Sequence, residues 1–167
     1  MAVSQDPRAN DIEVQQPDPQ PVLSVRARVP VAELAAAQGE ALRTLWRSLQ
    51  HHDIRLAGPP YVRYHSFGEA DTDVEVGIPV AAGAVGRGRV AVGELPGGTV
   101  ASTWHLGAHD RLGDAYVRLQ AWLTEHGHRP AGAGWEVYHW IDLDQEPDPA
   151  RWPDPSSWRT QLLQPIR

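Results

Sequence analysis

From about residue 22 onward, two hydrophobic periods succeed one another along the chain. Leu23, Val25, Ala27 and Val29 alternate with Ser24, Arg26 and Arg28, the two-residue period of a strand with one buried face. Between about Val31 and His52 the period becomes helical, with Leu34, Leu42, Leu45, Trp46 and Leu49 on one side. Gly39 lies inside that helix, where it costs about 1 kcal/mol relative to alanine, so the helix is open to a break or kink there. The turn Ala57–Pro60 leads into a strand at Tyr61–Ser66, and Asp73–Val80 reads as another, with Val74, Val76 and Ile78 set against Glu75 and Gly77. After a glycine-rich loop at Ala82–Gly88, Arg89–Leu95 and Thr99–Leu106 form a hairpin about Pro96-Gly97-Gly98. Asp110 can cap a helix reaching about His126, with Leu112, Tyr116, Leu119 and Leu123 inward. The stretch Gly134–Trp140 reads as a strand, Ile141–Ser157 as an acidic, proline-rich loop, and Thr160–Ile166 as a last strand that Pro165 marks as an edge or an end.

Residues 1–20 are polar and proline-rich, with too little apolar content to offset ordering entropy, and are expected to form a disordered tail. The remainder, 21–167, suits one α+β domain. Its element order invites a search for a repeat. A shift of 74 positions superposes Leu45, Leu49, His52, Arg55, Ala57, Gly58, Tyr64 and His65 on identical residues at Leu119, Leu123, His126, Arg129, Ala131, Gly132, Tyr138 and His139. The expected architecture is therefore two pseudo-symmetric modules, about 21–82 and 88–167, related by duplication. In that superposition Glu136 falls on Val62, Tyr138 on Tyr64, and Trp140 on Ser66.

An acid present in only one half of a symmetric frame points to function. On the strand, Glu136, Tyr138 and Trp140 share one face, and Trp135, Val137 and His139 the other, where Trp135 is expected to pack beneath a helix. Tyr138 is expected to diverge from Glu136 rather than to bond with it, as neighbours on one strand face do. Trp46 and Trp122 read as core. His105 and His109, four apart beside Asp110, have the spacing of a metal pair on a helix, but Gly107 and the loop between them break that geometry, so no metal is expected.

Composition narrows the function classes. Net charge is −6, with lysines and arginines scattered; phosphate contacts dominate nucleic-acid affinity, so no direct DNA or RNA binding is expected. No apolar run of membrane length and no secretory signal is evident. The absence of cysteine excludes disulfides and thiolate zinc sites, and a cytoplasmic location fits it best. Seven tryptophans and four tyrosines stand against one phenylalanine. Aromatics with a polar edge favour places where that edge meets ligand or water, which suggests a pocket.

Gly58-Pro59-Pro60-Tyr61, Asp73–Val80, Leu95-Pro96-Gly97-Gly98, His105-Leu106-Gly107, Glu136-Val137-Tyr138, and Thr160 with Pro165 together resemble the GyrI-like small-molecule-binding domain family, whose members include effector domains of AraC-type and multidrug-sensing regulators. The resemblance covers nearly everything from about residue 22. It implies a fold of two βαββ-type modules (duplicated SHS2-like) with antiparallel sheets, and a central ligand cleft holding a buried glutamate among aromatics. That glutamate falls on Glu136, with Tyr138 and Trp140 beside it, Tyr64 at the symmetric position, Trp104 and Leu106 as a further wall, and Trp158 at a frequent pocket aromatic. The family's Gly-Pro-Tyr is here Gly107-Ala108-His109, placing His109 where a tyrosine contact is lost. No cofactor is implied, and no protein partner is identified. Two activities fit. One is binding of hydrophobic aromatic molecules, cations among them, for sequestration or sensing. The other is hydrolysis of strained cyclopropane rings in DNA-alkylating natural products, as some stand-alone members perform, with Glu136 activating water and a polar hydrogen from Tyr64, Tyr138 or a tryptophan indole assisting.

Overall fold

The computed structural model describes residues 11–167; the first part of the expected tail, residues 1–10, lies outside the described residues. Among the described residues the protein is an α+β fold of eight strands and two α-helices. In chain order these are β1 (Ile12–Gln15), β2 (Gln20–Pro30), α1 (Leu34–His51), β3 (Tyr61–Phe67), β4 (Asp71–Pro79), β5 (Ala91–Leu95), β6 (Val100–Leu106), α2 (Leu112–Glu125), β7 (Trp135–Tyr138) and β8 (Arg159–Pro165). All pair antiparallel in one sheet of order β1-β6-β8-β7-β3-β4-β2-β5.

Five local expectations are corrected. β5 and β6 form no hairpin about Pro96-Gly97-Gly98: β5 takes its backbone partners from β2, and β6 takes its own from β1 and β8. Residues 12–15 form a strand, because the polar Ile12–Gln15 segment gains the backbone partners of β6 despite its small apolar content. α1 runs unbroken through Gly39; its hydrogen-bonded ladder outweighs one glycine. A 3₁₀ turn at His109–Arg111 precedes α2, whose N-cap is Arg111 with no side-chain cap, so Asp110 does not cap it. β7 ends at Tyr138, where Ile141 N–H bonds back to the Tyr138 carbonyl at 3.2 Å and turns the chain.

Both helices lie on the same face of the sheet. Leu42 and Leu45 of α1 pack with Leu23, Val25, Val62, Val74 and Val76, over β2 and β4. Ala115, Leu119 and Leu123 of α2 pack with Ala101, Leu162 and Ile166, over β6 and β8. The helices thus cover the flanks of the sheet and leave its middle pair, β3 and β7, as the floor of a trough. Val62 stands directly opposite Glu136 in that pair, at the midpoint from which β7-β8-β6 runs one way and β3-β4-β2 the other.

Among the described residues the opposite face carries no helix. There Trp135 packs with Val22, Tyr61, Leu95 and Val100, so it is held by neighbouring strands and not by a helix. The Tyr61 ring lies across Gly77, where an added Cβ would come within 2.4 Å of it, and its hydroxyl donates to Glu75.

Candidate functional site

β7 can lie flat against its neighbour because Gly134 opens it: a Cβ there would fall 2.8 Å from the Leu163 carbonyl. From that start Glu136 points into the trough and is only 3% exposed. Its two oxygens take different phenols. Tyr138 O–H donates to Oε1 at 2.7 Å, and Tyr116 O–H, from α2, donates to Oε2. The expected divergence of Tyr138 from Glu136 does not occur. Two residues along a strand span about 6.6 Å, and a tyrosine leaning along the strand bridges that distance. Tyr64, from β3, receives Gln38 Nε2–H of α1 at 2.9 Å, so each helix contributes one residue to this polar knot.

Burial raises the Glu136 pKa above the ordinary carboxyl value, and the hydrogen bonds from Tyr116 and Tyr138 oppose the rise. Burial first, and then the nearby Glu136 carboxylate, push Tyr64 up to about 12 and raise Tyr116 and Tyr138 as well. All three phenols therefore keep their protons at neutral pH, and Tyr116 and Tyr138 donate theirs to Glu136. The partners that the structure gives Glu136 are neutral.

The trough holds a cavity at each end. One, of about 370 Å³, is lined by Tyr64, Phe67, Tyr116, Gly134, Glu136 and Gln164. The other, of about 350 Å³, is walled by Gln38, Gly39 and Leu42 of α1 on one side and by aromatics on the other. Those aromatics are Tyr138, His109, Trp140, Trp152 and Trp158. Gly39 makes room here that a side chain would fill. Trp140 and Trp158 stack face to face, 3.8 Å apart and 3° from parallel, with Trp152 edge-on to Trp140 at 5.0 Å. His109 lies 5.3 Å from the rings of both Tyr138 and Trp158. The Tyr138–Glu136 hydrogen bond joins the carboxylate end to the tryptophan end.

Of the residues singled out in the sequence, Glu136, Tyr138, Trp140, Tyr64, His109 and Trp158 are thus brought together along one trough. Trp140 joins through the turn after β7 and not as a strand residue. Trp104 and Leu106 are not among them. Trp104 pairs with Gln161, and Leu106 with Arg159, in the register that puts Thr160 and His105 on the cleft side. Trp104 therefore lies on the far face against His139, at 4.6 Å, and Leu106 is exposed. A one-residue difference in alternation decides this. His105 and His109 turn to separate partners, the Ala108 carbonyl at 2.7 Å and the Thr160 hydroxyl at 2.8 Å. Tyr116 and Gln38 were not assigned to the site from sequence. Tyr116 had a signal, its place on the inward stripe of α2; Gln38 had none, being one polar residue on a helix.

The chain matches the family described as GyrI-like small molecule binding domain over residues 10–160. A comparison with curated proteins finds no match. Among solved structures, the crystal structure of the EcmrR C-terminal domain is 21% identical with a TM-score of 0.73, covering 94% of this chain and 97% of that one. The cryo-EM structure of an EcmrR–DNA complex in EcmrR-RPo is 20% identical with a TM-score of 0.77, covering 94% of this chain; this chain spans 57% of that longer one. SAV2435 bound to tetraphenylphosphonium is 9% identical with a TM-score of 0.63, covering 94% of each chain. At these identities the likeness is one of fold. No helix among the described residues is long and apolar enough to cross a membrane.

Proposed function

The chain belongs to the GyrI-like small-molecule-binding domain family, and on that premise we propose that it captures hydrophobic aromatic molecules, cations included, in the trough around Glu136, to sequester or to sense them. The observation that carries this reading is a buried carboxylate held by phenols, with a tryptophan-lined cavity beside it. Isolated buried charge is penalised by several kcal/mol; a bound cation relieves that penalty. Apolar walls contribute about 25 cal/mol per Å² of ligand surface covered, and aromatic faces add roughly 0.5–2 kcal/mol for a cation. Stacking is less directional than hydrogen bonding, so the same walls serve many ligands. That SAV2435 holds tetraphenylphosphonium, a bulky aromatic cation, on the same fold supports the reading. Duplication of a βαββ module belongs to the proposal too, supported by the strand order about the Val62–Glu136 pair. So does the expectation that this chain makes no direct nucleic-acid contact, supported by its net charge of −6.

The test compares N-methylacridinium with its neutral isostere 9-methylanthracene by quenching of tryptophan fluorescence. Wild type is expected to prefer the cation by roughly tenfold or more, and Glu136→Gln to bind both alike. An unchanged preference in the variant would remove Glu136 from the site.

Hydrolysis of a strained ring is the second reading, favoured by the upward push of burial on Glu136, which makes it a better base. The two phenols weaken that base. Excess cyclopropane-bearing alkylator, followed by mass spectrometry, separates the readings. Ring-opened product beyond one equivalent, lost in Glu136→Gln, establishes turnover, and intact compound together with quenched tryptophan fluorescence establishes binding alone.

A further inference from the structure

His109 stands where the resemblance leads one to expect a tyrosine, and its hydrogen bonding fixes which ring nitrogen carries the proton. Thr160 is fully buried, at 0% exposed. Its hydroxyl oxygen accepts the Trp140 indole N–H at 3.3 Å and lies 2.8 Å from His109 Nε2. A buried hydroxyl proton needs an acceptor, and among the described residues the acceptor within reach is His109 Nε2. The chain of donors therefore runs from Trp140 N–H to Thr160 O–H to His109 Nε2, and the neutral imidazole carries its proton on Nδ1. Protonating Nε2 would turn two N–H groups onto one hydroxyl and orphan the Thr160 proton. Burial and the neighbouring His105 likewise hold the His109 pKa below its ordinary value.

Nδ1–H has no hydrogen-bond partner among the described residues, and it is not one of the polar atoms sealed from solvent. Its ring lines the tryptophan-walled cavity. We propose that His109 is a specificity-determining residue whose Nδ1–H donates to a carbonyl or similar acceptor on the edge of a flat aromatic ligand. This rests on the reading of the trough as an aromatic-binding site and narrows it. Ligands present an acceptor to His109 while their ring plane lies against Trp140 and Trp158. A tyrosine would also offer a donor, but from a longer arm; the imidazole sets the donor closer to its backbone and locks it through Thr160.

The experiment uses 9-fluorenone and fluorene, tricycles that differ by a carbonyl in place of a CH₂ group and that carry no charge for Glu136 to read. Tryptophan quenching gives the affinity ratio, which a change in stability alone does not move. Wild type is expected to favour fluorenone roughly tenfold, the upper end of what one net hydrogen bond contributes. His109→Phe, which keeps an aromatic ring, is expected to bring the ratio to about one by removing that bond. His109→Asn, whose amide N–H₂ stands near Nδ1, is expected to restore much of the preference. Equal binding of both compounds to wild type, or an unchanged ratio in His109→Phe, overturns the role of His109 and leaves the aromatic site standing. Failure of both compounds to quench wild type, while the acridinium probe binds, overturns it as well. Failure of all the probes overturns the binding reading together with this one.

Discussion

Tyr138→Phe isolates the worth of one phenol on the buried carboxylate. Tyr138 is 9% exposed and Glu136 is 3% exposed, so the 2.7 Å bond between them is shielded from water. The change deletes one oxygen and adds no bulk, which keeps packing effects small. A hydrogen bond to a charged group contributes about 1.5–3 kcal/mol, and one between neutral groups about 0.5–1.5 kcal/mol. With Glu136 ionised, the variant is expected to lose about 2 kcal/mol. In a Glu136→Gln background the same change is expected to cost about 1 kcal/mol, leaving a coupling of about 1 kcal/mol. The pH dependence has a definite sign. Burial raises the folded pKa of Glu136. Such a group contributes stability that is fully present below its unfolded pKa, near 4.3, and is lost as pH rises through the folded value. Tyr138 opposes the rise, so its removal strengthens it, and the deficit of the variant grows with pH across that window. Urea unfolding followed by tryptophan fluorescence, from about pH 4 to about pH 8, spans the window. Equal losses in both backgrounds and at both ends of the range would refute an ionised, phenol-held Glu136.

Two further perturbations separate the frame from the site. Gly77→Ala is expected to destabilise the fold by about 1–3 kcal/mol, because its Cβ would meet the buried Tyr61 ring at 2.4 Å; urea denaturation measures this, and a neutral result would mean the ring shifts freely. Trp158→Ala removes one half of the Trp140 stack and is expected to weaken N-methylacridinium roughly tenfold while leaving the unfolding midpoint nearly unchanged, since Trp158 lies in a half-exposed loop; undiminished affinity would place the ligand elsewhere.

Much of the fold was legible because hydrophobic period is a local property. The alternation through Leu23–Val29 and the helical spacing through Leu42, Leu45, Leu119 and Leu123 dictate which side of each element is apolar; Leu23, Val25 and the four helix leucines are buried, and Ala27 and Val29 half-buried. The same alternation set Glu136, Tyr138 and Trp135 on their proper faces of β7. What the sequence left open was set by pairing between distant segments. Backbone groups along the edge of β6 made a strand of Ile12–Gln15, where apolar content predicted none. The β6–β8 register turned Trp104 and Leu106 away from the cleft, since shifting a face costs only one residue of slip.

The site itself shows the same division. An asymmetric glutamate, an excess of tryptophan and tyrosine, and a histidine in a tyrosine's place were all readable in the chain. Only the tertiary structure decided that Tyr116 of α2 and Tyr138 of β7 meet at opposite oxygens of Glu136, or that Thr160 locks His109. Those contacts join residues 20, 2 and 51 positions apart. Their geometry depends on where two helices come to rest on one sheet, and side-chain burial across the whole domain, not local propensity, sets that position.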